Sequence, residues 1–347
     1  MQRISLAIVG LRFGSRMADT MLKSPANHFV QLAALCDKDP ALLQAATQRT
    51  GLPGFSDLDT LLANPTIEAI ALFTGPNNRA ALIRRIIRVG KHVLTTKPFE
   101  RDPDAALQIL LEAQKLGRVV HLNSPAPELS ADLRQIRIWQ NEHTLGRIIG
   151  CRRSVWASYH EQADGTWYDD PALCPVAPIF RLGIYAINDL VRLLGPADKV
   201  QVLHSRLLTG RPTPDNAQLG ILFKSGAIAN IYASFCINDG QFYRNSLTLN
   251  FENGTIFRNV GPLNPETAHH KATMQLVTGT GFSVQHPVAD TAGLDDVSGD
   301  YQWEAFVKAI RGEPLHDQVT PEQIVAGLRI IGAMARAEKS GATETVG

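Results

Sequence analysis

No apolar stretch in this 347-residue chain approaches the roughly 20 residues needed to cross a bilayer, which excludes a helical membrane protein. Cysteine is scarce and scattered. Cys36, Cys151, Cys174 and Cys236 form no C-x-x-C pair and no short Cys/His cluster, which argues against zinc and dithiol chemistry and for reduced, packed thiols. His160 and the pair His269-His270 lack metal-ligand companions at a recognisable spacing, and no G-x-S-x-G nucleophile motif is present. Charge of one sign is missing too: 34 Lys and Arg against 33 Asp and Glu leave a formal net charge of +1, so no overall field favours nucleic acid or an anionic membrane. The opening "MQRISLAIVG" moves into an amphipathic strand without the apolar run and cleavage site of a signal peptide. Internal repeats and low-complexity segments are absent. The expectation is a soluble, cytoplasmic protein of two domains that meets small molecules or copies of itself.

What is there falls into two textures. From residue 4 to about 123, short apolar runs alternate with helix-like segments. The strands are expected at 4–10, 30–37, 67–74, 92–96 and 118–123, and the helices at about 15–24, 40–50, 78–90 and 103–116. Connections of that length must cross over the sheet, which predicts an α/β fold with an open, doubly wound parallel sheet. After about residue 145 the chain becomes strand-rich and partly alternating, with Gly and Asn at the turns, as in a mostly antiparallel open sheet with one face solvated. The tail returns to helices, the last beginning with Thr320 as N-cap and Pro321 at its first position. These patterns divide the chain into two domains, 1–124 and 125–347, with the C-terminal helices returning toward the first.

"AIVGLRFGSRM" ends the first strand at Gly10 and sets Gly14 where a helix begins. Such glycines let a helix N-terminus and its free N–H groups approach a pyrophosphate. The G-x-G-x-x-G fingerprint is incomplete, because Arg12 and Ser15 stand where Gly, or Gly/Ala, is usual; Arg12, Phe13 and Ser15 count with the loop. The second strand ends in Asp37, which either accepts the ribose hydroxyls of an adenosine or caps the next helix through "DKDP". A carboxylate there repels a 2′-phosphate and favours NAD(H), while Arg12 and Lys38 keep NADP(H) open.

"VGKHVLTTKPFE" resembles the "aGkHVlxEKP" segment of the Gfo/Idh/MocA oxidoreductases. "LFTGPNNRAALIRRIIRVG" is similar to that family's T-P-N-x-x-H stretch, and "GIYAINDLVRLLG" to its G-x-[HY]-x-x-[DN] helix. The final helices match as well, so the likeness runs along nearly the whole chain. It implies a Rossmann domain joined to an α/β domain whose open sheet often forms a dimer or tetramer interface. It also implies NAD(P)-linked hydride transfer on sugars, polyols or related carbonyl compounds. Carried over by position, Gly10, Gly14 and Asp37 hold the adenosine diphosphate half, Thr74, Pro76 and Asn77 line the nicotinamide side, and Lys97 is the central lysine. Thr96 replaces the glutamate of E-K-P, Arg181 takes the place of an aspartate, and the usual histidine is absent at both candidate positions, Arg79 and Ala80. "PVAP" stands where a glycine run is usual.

Hydride exchange at carbon requires proton transfer at oxygen. Lysine can stabilise an alkoxide or act as acid-base, and tyrosine becomes a usable acid beside a cation, so Lys97 and Tyr185 form a coherent pair. The alternative for Lys97 is a solvated lysine at a strand end. On an ideal helix Arg181, Tyr185, Asn188 and Arg192 share one polar stripe, which must face solvent or a wet cavity. One branch of the family carries "GIY-x-I[NQ]" with tyrosine as the acid, against which stands an exposed packing tyrosine. Arg181, Asn188 and Arg79 are expected to contact the substrate, Arg181 with Arg79 meeting an anionic group on it, or else Arg181 pairs with Asp169, Asp170 or Glu161. Loops around 155–180 and 260–300 are expected to set the substrate. Rival readings are an NAD-dependent glycosidase working by transient oxidation and a non-catalytic nucleotide sensor on the same fold.

Overall fold

The computed structural model describes residues 2–262, 264–279 and 289–347. It divides into two units, Met1–Glu128 with Asp300–Pro321 and Leu129–Gly299 with Glu322–Gly347.

The first unit runs β1 (Ile4–Val9), α1 (Leu11–Met21), β2 (Val30–Cys36), α2 (Pro40–Thr50), β3 (Gly54–Phe55), α3 (Leu58–Leu62), β4 (Ala69–Leu72), α4 (Arg79–Arg88), β5 (His92–Thr95), α5 (Pro103–Lys115) and β6 (Val120–Leu122). All strands pair in parallel, in the order β3-β2-β1-β4-β5-β6. β4 and β5 are buried at every position, as parallel strands covered on both faces must be. That burial is why they read as unbroken apolar runs. The strand order reverses between β1 and β4, which opens a crevice outside their carboxyl ends. Both α2 and α5 start on an Asp-Pro pair: Asp39 and Asp102 accept hydrogen bonds from first-turn amides, and the prolines sit where no N–H is needed. Asp39, not Asp37, therefore caps α2. Helix α1 begins at Leu11, four residues ahead of the expected start, because Gly10 turns the chain at φ +92° directly into it.

The second unit contains α6 (Ala131–Glu142), β7 (Ile148–Ala157), a π-helical turn (Ile179–Gly183), α7 (Ile184–Leu194), β8 (Ala197–Ser205), β9 (Asn216–Phe223), β10 (Ile228–Ser234), β11 (Tyr243–Phe251), β12 (Gly254–Arg258), β13 (Ala272–Thr278) and β14 (Asp290–Leu294). After α8 (Trp303–Ile310), the chain adds α9 (Pro321–Ser340) and β15 (Glu344–Thr345). Among the described residues nine strands lie in the order β14-β13-β12-β11-β7-β10-β9-β8-β15, antiparallel except for β10 against β7. One face packs in a single core with Ile136 and Trp139 of α6, Ile187 and Leu190 of α7 and Ile330 and Met334 of α9. Alternation leaves the other face to Arg152, Gln218, Asn230 and Tyr232, with Leu203 and Ile228 more than 60% exposed.

The division differs from the one expected at 124/125. Residues 300–321 count with the first unit, whose core takes Trp303, Phe306 and Val307, whereas α9 counts with the second.

Candidate functional site

Four segments converge on the crevice edge of the first sheet. Gly10 N–H donates to the Cys36 carbonyl at 3.0 Å, which ties the glycine turn to the end of β2. A Cβ on Gly10 would lie 2.9 Å from the Phe73 carbonyl carbon and the Thr74 nitrogen, and one on Gly14 would lie 2.6 Å from the Ile8 side chain. Both positions need glycine, the first for conformation as well as space. The Leu11 amide opens α1 and donates to Asp37 Oδ2 at 2.6 Å, while Oδ1 accepts from Asp39 N–H at 2.9 Å. A carboxylate oxygen accepts more than one hydrogen bond, so the half-exposed Asp37 keeps acceptor capacity at the edge. Arg12 and Phe13 project from the first turn, the Phe13 and Phe73 rings standing nearly perpendicular with centroids 5.4 Å apart; Ser15 is half-buried. A cradle shaped by two glycines, a helix N-terminus and an acid at the end of β2 fits a dinucleotide.

Lys97 follows β5 and is half-buried, joined to Pro98 through a cis peptide. Its amide donates to Asn123 Oδ1 at 3.3 Å, and the Thr96 hydroxyl lies 3.4 Å from the same oxygen. The carbonyls on either side of it, those of Thr96 and Pro98, accept from Arg79 Nη1 at 2.8 and 3.1 Å; Nη2 reaches the Thr74 carbonyl. Arg79 is 2% exposed. Its expected role toward substrate is therefore corrected: the guanidinium is taken up by backbone oxygens and fixes the ends of β4 and β5 together. The loop from β4 to α4 holds Thr74 half-buried, Pro76 buried and Asn77 exposed, with Asn77 Oδ1 accepting from Arg101 at 2.8 Å. Glu100 is buried and accepts the Ala80 amide at 2.8 Å, standing in for the side-chain cap that α4 lacks. Tyr301, also of this unit, donates its phenol to the Thr95 carbonyl at 3.1 Å.

In the second unit the π turn inserts an extra residue before α7, so Arg181 falls out of register with Tyr185. Tyr185, Asn188 and Arg192 keep their helical spacing within α7, and only Arg181 leaves the stripe. Asn188 and Arg192 are buried, and Asn188 Oδ1 occupies the space beside Gly327 of α9, so its substrate-facing assignment is corrected to packing. Arg181 forms a fork with Glu161, at 2.5 and 2.8 Å, and its guanidinium lies 4.0 Å from the Tyr168 ring and 4.7 Å from that of Phe235. Of the two readings open for Arg181, the structure contains the loop carboxylate. Arg211 continues the lattice to Asp169 at 2.7 Å and reaches Glu161 at 3.6 Å. Tyr185 is half-buried at the first turn of α7.

Beneath it lies a buried group of charges that sequence reasoning missed. Arg153 of β7 bonds Asp189 at 2.5 Å and Asn245 at 3.1 Å; Arg258 bonds the same Asn245 at 3.1 Å and pairs with Asp132. Burial alone would lower the Arg153 pKa, but Asp189 and its hydrogen bond outweigh it and hold the guanidinium charged. The one advance signal was charge on inward positions of otherwise alternating strands. Of the loops expected to set the substrate, residues 263 and 280–288 lie outside the described residues. Among the described residues no group of His, Cys, Asp or Glu could hold a metal ion, and no helix is long and apolar enough to cross a membrane. Burial pushes the Cys36 thiol up to about 11 and the Cys151 thiol up to about 12, which suits packing rather than nucleophilic chemistry.

Residues 4–124 match the model of an oxidoreductase family with an NAD-binding Rossmann fold, and residues 133–257 match the C-terminal domain model of the same family. A D-xylose 1-dehydrogenase (NADP(+)) of Haloferax volcanii is 24% identical over 90% of this chain and 91% of its own. A galactose 1-dehydrogenase of Pseudomonas fluorescens is 28% identical over 62% of this chain and 68% of its own. Among solved structures, the WlbA dehydrogenase of Bordetella pertussis, in complex with NADH and UDP-GlcNAcA, superposes with a TM-score of 0.71 at 17% identity, covering 100% of this chain and 99% of that one.

Proposed function

From the premise that the chain belongs to the GFO/IDH/MocA family of NAD-binding oxidoreductases, we propose that it interconverts a C–OH and a C=O group on a sugar-like substrate, with Lys97 and Tyr185 handling the proton of the reacting oxygen. The substrate class rests on the relatives named as dehydrogenases of D-xylose and galactose. Bound dinucleotide supplies the hydride exchange that side chains cannot perform. Gly10, Gly14 and the first turn of α1 take the pyrophosphate, Asp37 takes the adenosine ribose and favours NAD(H) over NADP(H), and Thr74, Pro76 and Asn77 flank the nicotinamide. Lys97 steadies negative charge on the substrate oxygen, and Tyr185 gives or receives the proton.

The observation that carries this reading is the Arg79 tie. One buried guanidinium bonds the carbonyls that flank Lys97 and the carbonyl of Thr74, at the carboxyl edge where doubly wound sheets place their ligands. No observation favours the transient-oxidation glycosidase or the sensor. Protein-fluorescence titration with NADH and NADPH, followed by an aldose and polyol screen with the better one, tests the reading. Lys97→Met is expected to retain cofactor binding and lower kcat by about 10²–10⁴. No binding of either dinucleotide would refute it.

The open face of the second sheet, with Leu203 and Ile228 exposed, is the surface through which we expect a homodimer or homotetramer, to be read by light scattering on the eluting protein. Cys36, Cys151, Cys174 and Cys236 are all free thiols, which supports a reducing compartment such as the cytoplasm.

A further inference from the structure

Tyr185 stands on the first turn of α7 with part of its ring exposed, and a half-exposed ring on a helix has rotamers to choose from. The chain closes one of its sides. Gly299 passes so near that a Cβ there would lie 3.1 Å from Tyr185 Cε1 and 3.2 Å from Cδ1, and its φ of +106° is one that other residues rarely adopt. The backbone therefore lies flush against the ring edge, and only glycine permits it.

That segment is itself held at two points. Asp296 Oδ2 accepts from the Ala131 amide at 3.0 Å, where α6 begins. The Ser298 hydroxyl donates to Asp189 Oδ1, and Asp189 stands one turn beyond Tyr185 on the same side of α7. The other oxygen of Asp189 is held by Arg153, which is braced by Asn245. A chain of contacts thus runs from the buried charges, through Asp189 and Ser298, to the glycine against the ring.

We propose that Ser298 and Gly299 form a strap that positions the Tyr185 phenol, with Asp189 as its anchor, so that these three are positioning residues for proton transfer. This rests on the reading of Tyr185 as the proton-handling group. The strap limits the ring to one orientation before substrate arrives, which matters because a misplacement of about 1 Å can lower a rate about 10²-fold.

The experiment is a double-mutant cycle on the full-length protein, using the better dinucleotide and the best substrate of the screen. Ser298→Ala is expected to lower kcat about 10-fold and Gly299→Ala about 10²-fold, with substrate KM and cofactor Kd within about twofold of wild type. Ser298→Thr, which keeps the hydroxyl, should restore most of the rate. Because Gly299→Ala can disturb folding, the deciding variant is Ser298→Ala combined with Tyr185→Phe. A strap acting through Tyr185 has nothing left to position once the phenol is gone, so the double variant should be no slower than Tyr185→Phe alone. If Tyr185→Phe is slow and Ser298→Ala either keeps the wild-type kcat or adds its full loss in the double variant, the strap is overturned and the role of Tyr185 stands. If Tyr185→Phe keeps the wild-type kcat, the reading of Tyr185 fails and the strap falls with it.

Discussion

Two arginines at similar places in the two units were both expected to meet an anionic substrate, and each is engaged within the protein in a different way. Arg79 opens α4 in the first unit and is buried among the backbone carbonyls it bonds. Arg181 precedes α7 in the second unit and lies between a carboxylate and aromatic rings, with its side chain 11% exposed. The first arginine holds the ends of two strands; the second holds a loop. The difference teaches where rigidity sits: the first unit fixes its edge through backbone geometry, and the second fixes its edge through replaceable side chains.

Substitution is the most forceful way to break that comparison. Arg79→Met should cost roughly 3–4 kcal/mol in urea unfolding, since it removes several charge-assisted bonds and leaves buried carbonyls unpaired. Arg181→Met should cost only about 1–2 kcal/mol, because Glu161 retains Arg211 at 3.6 Å and is 30% exposed to water. Equal costs would erase the distinction. The same Arg181 variant should raise KM for neutral and acidic sugars alike; a rise confined to acidic ones would return Arg181 to the substrate.

Acid is a milder probe, aimed at the first unit. Burial lowers the His121 pKa to about 3, and burial with Arg118 nearby lowers that of His92 to about 4. Unfolded histidine titrates near 6.5, so below that pH the unfolded chain takes up protons that the folded one refuses, and stability must fall as pH drops. From pH 7 to pH 5 the loss from His121 alone should be roughly 2 kcal/mol, measured as a fall in urea midpoint. His121→Leu should flatten that slope, and an unchanged slope would mean that His121 titrates normally.

The smallest effect sharpens the cofactor end. Asp37→Asn should shift the ratio of NADH to NADPH affinity by about tenfold toward NADPH, near 1.4 kcal/mol, in the same fluorescence titration. A ratio unmoved would place the 2′ position away from β2.

Much of this was legible in advance, and the physical reasons are specific. Parallel strands buried on both faces leave continuous apolar runs, so β1, β2 and β5 could be read to within one residue and β4 to within two at each end, as could the extents of α2 and α5. The start of α1 was not legible, because Gly10 carries it by a backbone angle that no side chain advertises. Arg181 left the expected stripe because ideal helical spacing was applied across a π turn, while Asn188 and Arg192 stay in register within α7 but are buried. Asn188 looked like a substrate contact until Gly327 of α9, distant in sequence, made room for it. Asn123 was in plain view as the polar end of an apolar strand, yet only the fold shows it receiving the Lys97 amide. Ser298 and Gly299 carry no local signal, since their meaning comes from a tyrosine more than a hundred positions earlier.

The discontinuity of the first unit bears on how the protein is made. Its core includes Trp303, Phe306 and Val307, and His121 faces Phe306 at 5.1 Å. On the ribosome, residues 2–128 emerge with that wall absent, and they wait while residues 129–299 are synthesised, a delay of roughly 10–30 s at typical elongation rates. The nascent first unit therefore carries a bare apolar flank throughout that interval, and any fragment cut near residue 128 would keep it permanently.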